Sequence, residues 1–200
     1  MGEREEIETR FRANLERIVA LMDLYATMVP TGQGRKPIPV ADLLRAAVVL
    51  LHATLEDLLR SLGEWKLPTA PVASLDKIMM SVLEKSVEKI NLAELAEFRG
   101  QTVDSVVARS IERHLERSSY NNLVDVMSFL ARIGIKPDVP KNLRADLAAM
   151  MNRRHWIAHR VDRNQQSGRG HQRVRSISLS IVTDWIKAVE YFGLETRRQV

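Results

Sequence analysis

The stretch VADLLRAAVVLLHATLEDLLRSLG, residues 40–63, decides the fold because it is the most hydrophobic segment of the 200-residue chain. A helix this apolar belongs in a protein core, so we predict a central core helix over residues 40–63. Gly63 is the residue type that commonly follows the last helical turn, and it indicates the C-cap. Loops are expected on both sides, where helix-breaking residues cluster: Pro30, Gly32, Gly34, Pro37 and Pro39 before it, and Pro68 and Pro71 after it.

Apolar residues recur at three- and four-residue spacing on both sides of this segment, which indicates further amphipathic helices. The N-terminal one covers residues 3–29 and carries an apolar stripe of Ile7, Phe11, Leu15, Ile18, Met22 and Tyr25. The others are expected over 74–90, over 91–98, from Thr102 onward, over 121–133, from Asn142 through a basic stretch, and over 176–192. The last of them is expected to bury Ile177, Ile181, Trp185 and Val189.

These helices predict the fold class and the domain organisation. There is no internal repeat, and no strand pattern is longer than the ambiguous VRSISLS. We therefore expect an all-α fold, a helical bundle with four core helices plus additional short helices. The length suits one domain, so residues 37–200 are expected to form the helical domain, and residues 1–36 an N-terminal helix and linker that belong to it.

Composition excludes several kinds of chemistry. The chain has no cysteine, which rules out disulfides, thiolate metal sites and cysteine nucleophiles together. Its N-terminus is charged and lacks the apolar core of a signal peptide. No uninterrupted apolar run approaches the roughly 18 to 20 residues of a membrane span. We therefore expect a cytoplasmic protein with no membrane association.

Positive charge is concentrated in one part of the sequence. The formal net charge is +5, and residues 153–175 hold seven arginines against a single acid, Asp162. The planar guanidinium fork suits phosphate groups, so this segment predicts a polyanionic partner. A helix C-terminus also favours basic residues, but that effect accounts for one or two arginines rather than seven.

The segment opens with NRRHWIAHRVDR, residues 152–163, in which His155 and His159 lie one helical turn apart. One interpretation is a zinc site with Asp162 as a third ligand on the same helix face. Two observations oppose it. No glutamate follows the first histidine, as it does in HExxH metalloproteases, and the surrounding arginines repel a divalent cation. We therefore expect no bound metal and no other cofactor.

The other interpretation is RNA cleavage without a metal. That reaction needs a base for the 2′-hydroxyl, positive charge for the phosphorane and an acid for the departing 5′-oxygen. Arg154 and His159 supply a permanent charge and a group that exchanges protons near neutral pH. The spacing alone is weak evidence, because Arg45 with His52 and Arg109 with His114 also match it. Of these decoys, His52 lies in the apolar helix and is expected in the core, whereas His114 is expected on a solvated face.

The quoted residues also resemble a known family. RRHWIAHRVDR (153–163) resembles the signature of the HEPN superfamily, an arginine, a polar residue and a histidine a few residues later. The likeness is closest to the group named for its association with RiboL-PSP nucleases. The stretches LLRAAVVLLHATLEDLLRSLG (43–63) and SYNNLVDVMSFLARIGI (119–135) resemble the family's preceding helices, so the resemblance covers roughly residues 40–192.

This resemblance implies a helical bundle that cleaves RNA as a homodimer, with the two motifs meeting at the subunit interface. It makes Arg154 and His159 the catalytic pair and His155 the polar residue after the arginine, where asparagine is commoner. His155 is therefore expected either to take part in catalysis or to hold the RNA. It implies a toxin or defence setting, with an antitoxin or a neighbouring defence protein as a further partner. Family members also carry an acid with a base four residues later, which Glu56 and Arg60 match, although such a pair is equally an ordinary surface ion pair.

The arginines around the motif complete the expected site. We expect them to bind RNA: Arg153, Arg160, Arg163, Arg169 and Arg173. The leading hypothesis is therefore a metal-independent endoribonuclease that acts by 2′-hydroxyl attack at a composite dimer site. The alternatives are a non-catalytic helical module that binds RNA or nucleotides in a regulatory role, and a purely structural bundle whose basic segment ends a helix.

Overall fold

The computed structural model describes residues 2–29, 37–82, 85–87, 91–163 and 174–200. Within these ranges the helices are α1 (Glu3–Met28), α2 (Ile38–Lys66), α3 (Val72–Leu75), α4 (Leu92–Ala96), α5 (Val103–Arg117), α6 (Leu123–Arg132), α7 (Lys141–Arg160) and α8 (Leu179–Arg198). A 3₁₀ turn, Leu67–Thr69, continues α2, and two three-residue strands, β1 (Met80–Val82) and β2 (Lys85–Val87), pair antiparallel. The predicted all-α class is confirmed.

Helix α2 lies at the centre of the fold, as its hydrophobicity predicts. It packs against α1, α5, α7 and α8. Leu44, Leu51, Leu55 and Leu59 are completely buried. By length and composition alone the helix is apolar enough to cross a membrane, yet more than half of its apolar window is buried within the fold. The other helices cover that apolar surface, and burying it is the main favourable contribution to folding.

Helix α1 joins the same core. The six side chains of its predicted apolar stripe are all buried, and they belong to one hydrophobic cluster with α2 and α8. Helices α1 and α8 pack closely at Gly193, where a Cβ would overlap the ring of Phe11. Glycine is the residue that permits this contact, because it leaves room for the aromatic ring.

The prediction of Gly63 as a C-cap is wrong. The helix continues for three residues beyond it, to Lys66. A Cβ on Gly63 would lie 2.8 and 2.9 Å from the two Cδ atoms of Leu115 and 2.9 Å from Cζ of Phe129. Gly63 therefore allows α5 and α6 to pack closely on α2, a tertiary requirement that local sequence does not distinguish from a helix end.

The predicted helix over 74–90 is also wrong. Helix α3 ends at Leu75, and β1 begins five residues later at Met80. Leu75, Ile78 and Met80 line one groove together with Val106 and other residues of α5. Helix α5 therefore covers these apolar side chains although the chain here forms a turn and a strand. The apolar spacing favours a helix, but it does not require one.

The C-terminal helix differs from its prediction at both ends. It begins at Leu179 rather than 176, with the hydroxyl of Ser178 accepting a hydrogen bond from the backbone N–H of Ile181, and it continues to Arg198. Ile181, expected in the core, is 42% exposed, whereas Val182 is completely buried. Trp185 and Val189 are buried as predicted, and Val182 and Phe192 complete the buried stripe in place of Ile181.

Candidate functional site

The site predicted from the sequence lies at the C-terminal end of α7. Leu147, Met150 and Met151 anchor this helix in the core. The helix ends because Val161 and Asp162 both adopt left-handed backbone conformations, with φ of 48° and 55°. Two consecutive non-glycine residues in this region are strained, and for a β-branched valine the conformation is rare. Surrounding contacts must therefore hold this helix end in place.

Asp162 provides the strongest of these contacts. Its side chain is completely buried, and its Oδ2 accepts hydrogen bonds from Arg45 Nε at 2.9 Å and from Arg153 Nη2 at 2.7 Å. Its backbone carbonyl accepts from the N–H of Arg175 at 2.9 Å. A buried carboxylate is tolerated only when it is paired in this way. Asp162 therefore joins α2, the end of α7 and the chain leading into α8.

Both guanidinium groups on Asp162 also bind backbone carbonyls. Arg45 donates to the carbonyl of Arg175 at 2.6 Å, and Arg153 donates to that of Ser176 at 2.8 Å. Arg153 is also one of the arginines that the sequence predicts to bind RNA. In the structure its Nη2 donates to Asp162 and to the backbone entering α8, so Arg153 helps to hold this helix end.

These contacts also oppose the alternative zinc site. Asp162 lies beyond the end of α7 and so is not on the helix face of the two histidines, and its carboxylate is paired with Arg45 and Arg153. Among the residues that the structure describes, no group of three or more histidine, aspartate or glutamate side chains is placed to hold a metal ion.

The two histidines of the motif lie together at the surface. His155 and His159 are both exposed, and their ring centroids are 4.7 Å apart with the planes tilted by 44°. Arg154, the residue before His155, is half-buried, and its Nη1 donates to Asn121 Oδ1 at 3.0 Å. The structure thus brings two solvent-facing imidazoles and one anchored guanidinium to the same helix end.

The remaining predicted arginines fall into two groups. Arg160 and Arg163 are exposed next to the histidines. Arg169 and Arg173, also predicted to bind RNA, lie outside the described residues. A backbone bridge between Arg163 and Val174 closes the base of the segment that contains them. The residues on either side of segment 164–173, Arg163 and Val174, therefore both lie at the helix end that carries the motif.

Sequence reasoning missed two residues of this site, Arg175 and Asn121. The guanidinium carbon of Arg175 lies 4.5 Å from the centre of the Trp156 ring, a cation–π arrangement. Asn121 lies 33 positions before Arg154, and nothing in the local pattern connects the two. Only the packing of α6 against α7 brings Asn121 to the arginine.

Helix α2 contributes a buried histidine behind the motif. His52 is 1% exposed, confirming its predicted core position, and its Nε2 lies 3.1 Å from the carbonyl oxygen of Tyr120. Its Nδ1 lies 3.7 Å from the Glu56 carboxylate. Burial lowers the pKa of His52, and the positive charge of Arg154 acts in the same direction, whereas Glu56 opposes both. The imidazole is therefore held neutral near pH 7, donating through Nε2.

The Glu56 and Arg60 pair is formed, with 3.5 Å between Oε2 and Nη2. Arg60 does more than pair, because its Nε donates to the carbonyl of Leu115 and its Nη2 to that of Ser118, both at 3.2 Å. The side chain thus satisfies carbonyls at the C-terminal end of α5. It fixes the start of the connection that leads to Asn121.

The sequence predicts that His114, the histidine of the second spacing match, lies on a solvated face, but the structure places it differently. It is half-buried, with Nε2 3.3 Å from Nη2 of Arg132, in an open cleft between α5 and α6. Burial lowers the pKa of His114, and the charge of Arg132 lowers it further. Its sequence neighbour Arg109 instead hydrogen-bonds Gln101, so this spacing match is not an arginine–histidine site.

Comparison with known proteins adds no assignment. No protein family model matches the chain, and neither a curated protein nor a solved structure matches it. What the fold and the site define is an all-helical protein with two exposed imidazoles and an anchored arginine at one basic helix end.

Proposed function

We propose that the protein is a metal-independent endoribonuclease of the HEPN type, acting at a composite site in a homodimer. The observation that carries the proposal is the pair of exposed imidazoles, 4.7 Å apart, next to an arginine held by a neutral amide. These are the groups that 2′-hydroxyl attack on a phosphodiester requires. The resemblance of residues 153–163 to the HEPN signature supports the same assignment.

The roles follow from the chemistry of each group. One imidazole removes the proton of the 2′-hydroxyl, whose oxygen attacks the phosphorus. The bond from phosphorus to the 5′-oxygen then breaks, and an imidazolium protonates the departing oxygen. The products are a 2′,3′-cyclic phosphate and a 5′-hydroxyl. His159 and His155 fill the proton roles, and Arg154 stabilises the charge on the non-bridging oxygens.

Arginines beside the motif bind the rest of the RNA. Arg160 and Arg163 are exposed and donate to flanking phosphates, and Arg169 and Arg173 extend this track by their position in the sequence. Trp156 and Arg175 add an aromatic ring and a stacked guanidinium near the same helix end.

A second copy of the chain completes the site. The motif lies exposed at a helix end, and a two-fold axis through that surface would place two sets of Arg154, His155 and His159 around one phosphate. The biological setting that the resemblance implies is a toxin or a defence protein, with an antitoxin or a neighbouring defence protein as its regulator.

The test is cleavage of labelled single-stranded RNA in excess chelator. The wild-type protein should produce 2′,3′-cyclic phosphate ends, and His159→Ala should reduce the rate by about 10² to 10⁴-fold because it removes a proton-transfer group. His114→Ala, which removes a histidine outside the site, is the control and should retain activity.

Two other outcomes would replace the proposal. Salt-sensitive RNA binding without turnover would indicate the regulatory binding module. Activity that chelator abolishes and zinc restores would indicate metal chemistry instead.

A further inference from the structure

We propose that Asn121 is a positioning residue for Arg154. Its neutral amide fixes the direction of the guanidinium without cancelling the charge that a phosphate needs. This inference rests on the proposed function, because it assigns Arg154 to the scissile phosphate. It adds a residue from another part of the chain to the site.

The first step is the contact itself. Arg154 Nη1 donates to Asn121 Oδ1 at 3.0 Å, a normal hydrogen-bond length. Arg154 forms no ion pair with any carboxylate in the part of the chain that the structure describes. Arg153 and Arg45 differ in this respect, because both bind the buried carboxylate of Asp162.

The second step is that the backbone around Asn121 is held from α2. His52 donates to the carbonyl of Tyr120 at 3.1 Å, and Arg60 donates to the carbonyl of Ser118 at 3.2 Å. On the other side, the side chain of Asn122 caps α6 by accepting from the N–H of Asp125 at 2.9 Å. Asn121 thus lies in a segment fixed at both ends, so its side chain can hold the arginine in one orientation.

The third step is electrostatic. A guanidinium that already pairs with a carboxylate offers a phosphate much less net charge, because the two opposite charges largely cancel at a distance. An amide oxygen accepts the hydrogen bond while leaving the full positive charge available. Because the hydrogen bond already orders the long arginine side chain, less conformational entropy is lost when RNA binds. The arrangement is therefore suited to a cation that must be both oriented and unpaired.

The experiment compares the same substitution at adjacent positions, Asn121→Asp and Asn122→Asp. Both add one negative charge. Aspartate at position 122 still accepts from the Asp125 N–H, although it removes the Nδ2 donor to the Asp125 carboxylate, so its effect on stability is measured separately. In Asn121→Asp the new carboxylate pairs with Arg154. RNA affinity should then fall, and the slope of log K against log salt should become shallower by about 0.7, the value for one phosphate contact on a single strand. Asn122→Asp should leave the slope unchanged, and thermal unfolding confirms that both variants are folded.

A second variant separates positioning from charge. Asn121→Ala leaves the charge of Arg154 in place but releases its orientation. We expect kcat to fall by about 10 to 100-fold, as for a small misplacement of a catalytic group, with KM and the salt slope close to wild type. A merely structural role for Asn121 would lower the melting temperature without this pattern.

The outcomes distinguish this inference from the proposed function. If the wild-type protein cleaves RNA in chelator and both Asn121 variants behave like the Asn122 control, Asn121 does not position Arg154 and the nuclease assignment stands. If the wild-type protein binds RNA without cleaving it, the nuclease assignment fails, and the salt-slope comparison still tests the contact. Equal slopes at the two positions overturn the inference in either case.

Discussion

His52 shows how a core residue contacts the segment of chain that leads to the candidate site. The imidazole is buried in α2, with Nε2 on the Tyr120 carbonyl and Nδ1 without a hydrogen-bond partner in the described part of the chain. Its neighbours are charged: Glu56 at 3.7 Å, and Arg154 and Arg60, which both lower its pKa. The ring therefore has to be neutral to fit this environment, since a buried imidazolium beside two guanidiniums would be costly.

This predicts a loss of stability in mild acid. Burial is the largest cause that lowers the pKa of His52 below its ordinary value of 6.5. Above that pH the imidazole is neutral in both states and contributes no pH dependence. As the pH falls below 6.5 the unfolded chain gains a proton that the folded protein resists, so the free energy of unfolding decreases by at most about 1.4 kcal/mol per pH unit for this group.

His52→Gln tests this dependence. The glutamine amide can still donate to the Tyr120 carbonyl, but it does not titrate. Urea unfolding at pH 7.5 and pH 5.5 should show a smaller loss of stability in the variant than in the wild-type protein. His114 also has a lowered pKa and remains in both proteins, so some acid sensitivity should persist. An identical loss in the two proteins would contradict the role given to His52.

At the residue scale, the sequence predicts which side chains share a helix face better than it predicts which distant residues they contact. The exposed pair His155 and His159 follows from helical spacing, because residues four apart share a face. The role of Asp162 does not follow, because its partner Arg45 is 117 positions away. Arg153 and Arg154 are adjacent and chemically identical, yet Arg153 pairs with the buried Asp162 and Arg154 donates to Asn121. Only the tertiary structure distinguishes them.

At the scale of elements, the helices are predicted well except over 74–90, and the C-terminal helix differs at its ends. Helix α1 was expected over 3–29 and runs from Glu3 to Met28, because an apolar stripe over seven turns is unambiguous. The region 74–90 has the same apolar spacing over a shorter distance. There, packing on α5 decides between a helix and a strand pair, and no local signal reports that packing.

The contact between α1 and α8 gives a prediction at this scale. In Gly193→Ala the new methyl group would overlap the buried ring of Phe11. The overlap should cost about 1 to 3 kcal/mol, and the better helix propensity of alanine offsets about 1 kcal/mol of it, so we expect a net loss of up to about 2 kcal/mol.

A double-mutant cycle with Phe11→Leu tests the cause. The smaller side chain removes the overlap, so the combined variant should be more stable than the sum of the two single changes predicts. Additive losses, measured by chemical denaturation, would show that the Phe11 ring is not what opposes a side chain at position 193.

At the scale of the whole molecule, the central question is whether one chain contains a complete site. The fold presents the two histidines on an exposed surface at the end of α7, with Arg154 half-buried at the preceding position. The proposed function requires a second copy over that surface. This makes the activity a property of the dimer, which can be tested by mixing two inactive chains.

Arg154→Ala and His159→Ala should each be inactive alone. In a mixture of equal amounts, random subunit exchange would make about half of the dimers mixed, each with one intact Arg154 and one intact His159 contributed by different subunits. If the site is shared across the two-fold axis, these groups face the same phosphate and part of the RNA cleavage returns. The recovered rate should fall on dilution as the dimers dissociate. If each chain instead carries a site of its own, every site in the mixture lacks one of the two groups, and cleavage stays absent at all protein concentrations even when exchange is verified by mass spectrometry.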